Sequence, residues 1–417
     1  MGAHLVSSLA SRITFSGGDE GLPVADSRQI QAPMKGRGTA TALANRFEGW
    51  QRAREADGWV GESGDEAAAD GAEAAPRPPT VLTLQPARSI LSRNDSPDVP
   101  FEQAVNTYRG CEHGCIYCYA RPTHSYLGLS PGLDFETQIF GKANAAALLQ
   151  RELARPQHVP SPINLGSATD PYQPVEREAG LTRQVLEVLD ACRHPFTIVT
   201  KSALVTRDID LLARAARRRQ VYVILSVTTL DNGLSRVLEP RASSAMRRLQ
   251  AVRALAEAGV PVGVNVAPII PFVNEPEIEA IVGAAAAAGA RNVHHTVLRL
   301  PWEVRPLFEE WLQHHMPHKA ARVLARLRDL GDGEVYSAGF GVRMKGQGPW
   351  AELIAQRLRK AAARHGLKPE RLALDQSAFQ VPPEWRQTPG RQAGAGHPPD
   401  RPVVSSPVAA AQQSLFD

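Results

Sequence analysis

The chain has 417 residues, enough for one large domain or two ordinary ones, and 43% of them are hydrophobic, which supports a sizeable core. No apolar run of about 18 residues occurs, and the N-terminus lacks a basic start followed by an apolar block, so neither a membrane span nor a secretory signal is expected. Net charge is only +4, which permits nucleic-acid binding without showing it, and four cysteines, three of them closely spaced, fit a reducing cytoplasm.

In chain order, residues 1–34 read as disordered, being rich in Gly, Ser and Asp without sustained periodicity. Residues 35–85 read as an N-terminal extension. Its basic and aromatic part, 35–59, is suited to dock on the core, and an acidic, then Pro-rich linker follows. Residues 86–301 alternate β-branched runs with helical runs. Strands are expected near Gln103–Tyr108, Pro162–Gly166, Phe196–Thr200, Gln220–Ser226, Pro261–Ala267 and Asn292–Leu298. Helices are expected near Ala143–Leu153, Thr182–Cys192, Arg207–Arg218, Ser243–Ala258 and Glu275–Ala288. That alternation argues for parallel βαβ units. Residues 302–380 read as a helical extension, with helices Trp302–Asp329 and Trp350–Arg364. Residues 381–417 read as a disordered tail rich in Pro, Gly, Gln and Arg.

The most informative stretch is Tyr108-Arg109-Gly110-Cys111-Glu112-His113-Gly114-Cys115-Ile116-Tyr117-Cys118-Tyr119, with spacing C-x3-C-x2-C. Three thiolates on one tight loop can hold three irons of a cubane [4Fe–4S] cluster and leave the fourth iron open. A zinc site completed by His113 or His124, or partial disulfide pairing, are the other readings of the same residues. Gly110 and Gly114 let backbone N–H groups approach the sulfurs.

Downstream, polar groups fall at expected strand ends: Ser167-Ala168-Thr169-Asp170-Pro171 after the second strand, Thr200-Lys201-Ser202 after the third and Ser226 at the end of the fourth. Lysine and hydroxyl groups there suit a carboxylate and ribose hydroxyls. Each also has an ordinary structural use, as a turn, a salt bridge or a cap. Arg241 follows Glu239 and is placed either to clamp a carboxylate or to pair with Glu239. Asn265 faces either the interior or a structural partner.

The cysteine loop resembles the signature of the radical S-adenosylmethionine (SAM) enzymes. Together with the Thr-Asp-Pro turn at 169–171, Thr-Lys-Ser at 200–202 and Ser226, it resembles the spore photoproduct lyase branch and its bacterial "DNA repair photolyase" relatives over roughly residues 100–300. The resemblance implies a partial (β/α)6 barrel, here with a helical C-terminal extension and disordered termini. It implies a [4Fe–4S] cluster on Cys111, Cys115 and Cys118, with SAM chelated at the open iron. Tyr117, Thr169, Asp170, Lys201, Ser226 and Arg241 are the implied SAM contacts, Tyr117 against the adenine. It further implies reductive SAM cleavage to a 5′-deoxyadenosyl radical, an electron donor such as flavodoxin or ferredoxin, a nucleic acid or nucleotide as substrate class, and a cytoplasmic location.

One departure matters. In the lyase a cysteine just before the Ser/Thr-Asp-Pro turn donates the hydrogen atom that ends repair. Ser167 stands there in this chain, and an O–H bond is too strong to replace a thiol in that step. Cys192, expected on a helix, reads as a buried small hydrophobe. The competing function is a non-catalytic iron–sulfur or zinc-binding interaction protein, which would not need Thr169, Lys201 and Ser226 to converge. Finally, Gln412-Gln413-Ser414-Leu415-Phe416 resembles the short peptide by which bacterial DNA polymerases and repair proteins dock on the DNA sliding clamp. In that reading Leu415 and Phe416 fill a hydrophobic pocket and Gln412 makes polar contacts.

Overall fold

Valine- and isoleucine-rich runs such as Val221-Tyr222-Val223-Ile224-Leu225 suit strands covered on both faces, and they build the centre of the molecule. The computed structural model describes residues 34, 36–39, 41–47, 79–368 and 372–386. Its strands are β1 (Val81–Gln85), β2 (Leu91–Arg93), β3 (Gln103–Val105), β4 (Tyr108–Arg109), β5 (Gln138–Lys142), β6 (Ile163–Leu165), β7 (Phe196–Thr200), β8 (Val221–Ser226), β9 (Val262–Ile269) and β10 (Val293–Val297).

The larger sheet runs β10-β9-β8-β7-β6-β3-β2. Its six strands from β3 to β10 are parallel, and β2 joins β3 antiparallel at one edge. The edges β2 and β10 do not pair with each other, so the barrel is open. Parallel neighbours need crossovers, and the helices Leu181–Ala191, Ile209–Arg217, Ala245–Glu257 and Ile278–Ala287 supply them between β6 and β10. Leu181–Ala191 shows how: it buries Val185, Leu186, Val188 and Leu189 along one stripe. These are the parallel βαβ units that the alternation of runs implies, arranged as the partial (β/α)6 barrel that the resemblance implies.

Several local expectations change. The expected strand Gln103–Tyr108 is two strands. β3 stays in the barrel, whereas β4 leaves it to pair with β5 in a separate three-stranded sheet, β1-β5-β4. Because β1 begins at Val81, ordered structure starts before the expected boundary at residue 86. The expected helix Trp302–Asp329 is also two, Val304–His315 and Pro317–Leu330. Pro317 has no N–H to donate into a continuing helix and instead opens the second one.

The C-terminal stretch closes the amino-end face. Lys368 N donates to Arg291 O (3.0 Å), Asp375 N to Arg219 O (2.9 Å) and Gln380 N to Cys192 O (2.9 Å), beneath β10, β8 and β7 in turn. Pro383–Trp385 forms a 3-10 turn, and Trp385 packs on the core, so the expected tail boundary at 381 lies inside described structure. The expected disorder of residues 1–34 and 381–417, and Gln412, Leu415 and Phe416, otherwise lie outside the described residues. Among the described residues no helix is long and apolar enough to cross a membrane.

Candidate functional site

Parallel strands release their following loops around one rim, where functional side chains collect. A cavity of about 250 Å³ opens there, lined by the cysteine loop and by the carboxyl ends of β6 to β10. Cys111, Cys115 and Cys118 all line it.

The loop is held from below. Gly110 and Gly114 sit at φ 80° and 66°, where a side chain is strained, and a Cβ at Gly114 would meet Glu136 Oε2 at 2.6 Å. Arg121, wholly buried, donates to the carbonyls of Gly114 (3.2 Å), Cys115 (2.9 Å) and Gly132 (2.9 Å) and pairs with Glu136. Glu136 also accepts from Gly38 N at 2.9 Å, which brings the N-terminal extension against the loop. Gly38 passes so near Gly114 that a Cβ would lie 1.9 Å from its carbonyl oxygen.

Burial pushes all three thiols above their usual range, and Asp170 adds to this at Cys111. Cys111 also feels the charges of Cys118 and Cys115, and Cys115 that of Cys118, so the three share one patch. Among the described residues no group of three or more His, Cys, Asp or Glu is gathered to hold a single metal ion. The two histidines that the zinc reading would use are both engaged elsewhere. His113 Nδ1 faces Asp170 Oδ2 at 3.3 Å, and His124 Nε2 lies 3.0 Å from Gln138 O, with burial lowering His124 to about 4. A cluster asks for a more widely spread set, because its thiolates bind separate irons. Three cysteines on one cavity wall, Cys111 and Cys115 buried and Cys118 half-buried, all with free thiols, fit that donor set.

The strand-end residues converge on the same cavity: Tyr117, Thr169, Asp170, Lys201 and Ser226 all line it. Thr169 Oγ1 donates to Gly110 O (2.6 Å) and accepts from Gln173 Nε2 (3.0 Å), so this hydroxyl anchors the cysteine loop. Asp170 ties three elements. Its carboxylate accepts from Thr200 Oγ1 (2.7 Å), Lys201 N (2.8 Å) and Tyr172 N (2.9 Å) and faces His113. Burial alone would raise it, but the charge and hydrogen bond of His113, with the other donors, hold it at about 2. Lys201 Nζ lies 3.9 Å from Glu239 Oε1 and 5.7 Å from the centre of the Tyr117 ring.

Glu239, 2% exposed, is the hub that the sequence did not reveal. It receives the Tyr117 and Thr228 hydroxyls and pairs with buried Arg248. Burial pushes it up, yet Arg248 and then Lys201 bring it to about 2. Arg248 also donates to the Ser226 carbonyl at 2.8 Å. Arg241 departs from expectation. It pairs with Glu112 at 2.5 Å, not with Glu239, and does not line the cavity. It supports the outer side of the loop, because its position after Leu238-Glu239-Pro240 turns it away from the strand ends.

Ser167 lines the cavity, and its Oγ accepts from Asn106 Nδ2 at 2.9 Å. Cys192 ends the helix Leu181–Ala191, wholly buried and outside the cavity lining, with burial raising it to about 12. The open side of the barrel adds residues that sequence patterns miss: Tyr119, Arg299, Arg343 and Met344. The last two arrive from a loop far downstream, where no spacing rule marks them.

Known proteins share parts of this sequence. Residues 105–285 match the Radical SAM superfamily. An uncharacterized protein of Mycobacterium tuberculosis is 39% identical over 226 residues, 54% of this chain and 66% of the relative. One from Methanocaldococcus jannaschii is 30% identical over 182 residues, 43% of this chain and 64% of its own length. The chain therefore spans just under two thirds of the relatives it matches. Among solved structures it is similar to spore photoproduct lyase complexed with dinucleoside spore photoproduct, at a TM-score of 0.49 and 19% identity over 69% of this chain and 80% of that one. Over the cysteine loop and the strands that follow it, the chain is therefore similar to the radical SAM superfamily.

Proposed function

We propose that the chain is a radical SAM enzyme whose rim cavity holds a [4Fe–4S] cluster on Cys111, Cys115 and Cys118 together with SAM. The observation that carries the reading is convergence: residues from four separate loops or strand ends, Tyr117, Thr169, Lys201 and Ser226, share one cavity with the three cysteines. A non-catalytic cysteine module has no need of that convergence. When bound, such a cluster supplies the electron for reductive cleavage of SAM to methionine and a 5′-deoxyadenosyl radical. The protein's own residues do the positioning. Arg121 and Thr169 fix the loop backbone, and Asp170 fixes it to the end of β7. Lys201 offers a cation and Ser226 a hydroxyl to SAM's polar groups, and the Tyr117 ring offers an apolar face. The pairing of Glu239 with Arg248 and Lys201 keeps this wall charged and ordered.

A nucleic acid or nucleotide is the proposed substrate class, on the motif resemblance to the lyase branch. With Ser167 in place of the thiol donor, the closing hydrogen transfer differs from that of the lyase. A flavodoxin or ferredoxin is the proposed electron donor. The C-terminal Gln412, Leu415 and Phe416 are proposed to dock on the DNA sliding clamp, testable as binding of a peptide of residues 408–417 at about 100 µM or below.

The decisive experiment is anaerobic reconstitution followed by assay of SAM cleavage. About four irons and four sulfides per chain, with 5′-deoxyadenosine formed under reduction, are expected. Protein that takes up one zinc, with neither iron nor sulfide, would refute the reading. In the intact fold, Cys111→Ala, Cys115→Ala and Cys118→Ala should each lose the cluster.

A further inference from the structure

Arg299 stands apart from the other cations around the site. Lys201 is paired with Glu239, Arg241 with Glu112, Arg343 with Asp98, and the wholly buried Arg121 and Arg248 with Glu136 and Glu239. Arg299 lines the cavity, yet among the described residues no carboxylate pairs with it. Its Nη1 donates to Met344 Sδ at 3.1 Å, a weak acceptor, and its buried Nε has no partner at all. A guanidinium stays charged at any working pH, and this one is half-buried at the cavity without a counter-anion.

Its orientation is fixed on two sides. The guanidinium lies 5.2 Å from the centre of the Tyr119 ring, and Met344 holds Nη1. Tyr119 belongs to the cysteine loop, and its hydroxyl donates to the Ser167 carbonyl. Arg299 and Ser167 therefore flank one aromatic residue across the open side of the barrel, beyond β10 and β6. Lys201 and Ser226 sit instead at the ends of the intervening strands β7 and β8. Nε of Arg299 remains without a partner, and a guanidinium edge of parallel N–H groups matches two oxygens of a phosphate. Beside it Phe101 and Tyr119 line the same cavity with aromatic surface, suited to a planar ring.

Building on the radical SAM reading, we propose that Arg299 is the receptor for a substrate phosphate, so that the substrate is a nucleotide or a nucleotide unit of a strand, held by its phosphate on the β10 side of the cavity. SAM's own anionic group is left to the Lys201 side. Asn265, whose buried Oδ1 has no partner, lines the same cavity and offers an acceptor to a ligand N–H or O–H.

The test uses cluster-loaded full-length protein under anaerobic conditions, with and without SAM. Binding of the four deoxynucleoside 5′-monophosphates is compared with the matching deoxynucleosides. Thymidine dinucleotide is compared with its uncharged methylphosphonate analogue. A phosphate-dependent gain of about tenfold or more in either comparison is expected, as for a charge-assisted bidentate contact. A gain confined to the monophosphates identifies a free nucleotide; a gain in the dinucleotide pair identifies a strand. In Arg299→Gln the gain should vanish while cluster content and SAM affinity hold, and Arg299→Lys, which keeps the charge but loses the fork, should recover only part of it. No gain in either pair, or a gain that survives Arg299→Gln, overturns the proposal. If Arg299→Gln weakens SAM binding as strongly as phosphate binding, the residue serves SAM instead. Failure of the wild type to bind SAM would count against the radical SAM reading, whereas SAM binding without a phosphate gain counts against Arg299 alone.

Discussion

Two carboxylates at one face of the barrel and two histidines at the other are treated in opposite ways. At the rim, carboxylates are kept charged: Asp170 and Glu239 both sit at about 2, because His113, Arg248 and Lys201 outweigh the effect of burial. At the amino-end face, histidines are kept neutral. His158 Nε2 and His194 Nε2 lie 2.8 Å apart, both packed on Phe379, and burial lowers both, His194 to about 4. The rim retains charge where the cavity opens. The base removes charge where the C-terminal strap has only to seal the core.

The largest expected effect comes from breaking the rim network. Glu239→Gln leaves Arg248, 1% exposed, without its carboxylate partner. Stability should fall by about 3–5 kcal/mol, the usual consequence of orphaning one member of a buried pair, read as a shift in the denaturation midpoint. A change below about 1 kcal/mol would mean that the rim pair is as replaceable as a surface pair.

The base answers to pH. The folded pKa of His194 lies below its unfolded value of 6.5, so the fold prefers the neutral ring. Its contribution is fully present above pH 6.5 and is lost as pH falls toward about 4, on the order of 3 kcal/mol. His194→Gln should flatten this part of the stability profile in chemical denaturation at pH 7.5 and 4.5. An unchanged slope would mean that the histidine pair remains buried when charged.

A smaller effect separates binding from folding at the rim. Lys201→Ala removes a partly exposed cation from the cavity wall and leaves Glu239 paired with Arg248. SAM affinity should drop about tenfold, roughly 1.4 kcal/mol, with iron content unchanged. Loss of both together would point to misfolding.

How much of this was legible follows from the range of the interactions. The cysteine spacing and the strand ends at Thr200 and Ser226 are local patterns, and the barrel places them together without further help. Tyr117 was legible as a cavity residue, but its partner Glu239 was not. That pairing joins positions 122 residues apart, whereas the sequence offers Arg241, two residues away, as the partner of Glu239. The β1-β5-β4 sheet escaped notice for a related reason. β4 has only two residues, too short for any periodicity, and β1 precedes the core behind a low-complexity stretch. Nothing in the sequence around Arg121 signals the carbonyls of Gly114 and Cys115 that it gathers.

Cys192 gives the smallest and sharpest contrast. The four cysteines are chemically alike, and position alone divides them: three on the rim cavity, one wholly buried beside the amino end of β7. Its thiol meets no cavity, and burial raises it to about 12, which leaves it a protonated, inert group. Cys192→Ala should therefore leave iron content and SAM cleavage at wild-type levels while lowering stability by about 1 kcal/mol, for the small void left by one sulfur. A folded, cluster-loaded Cys192→Ala protein that cleaves SAM but forms no product would reverse the assignment. It would mean that the helix end reaches the rim during turnover, a movement through the core for which the close packing around Val188, Leu189 and Phe196 leaves no room.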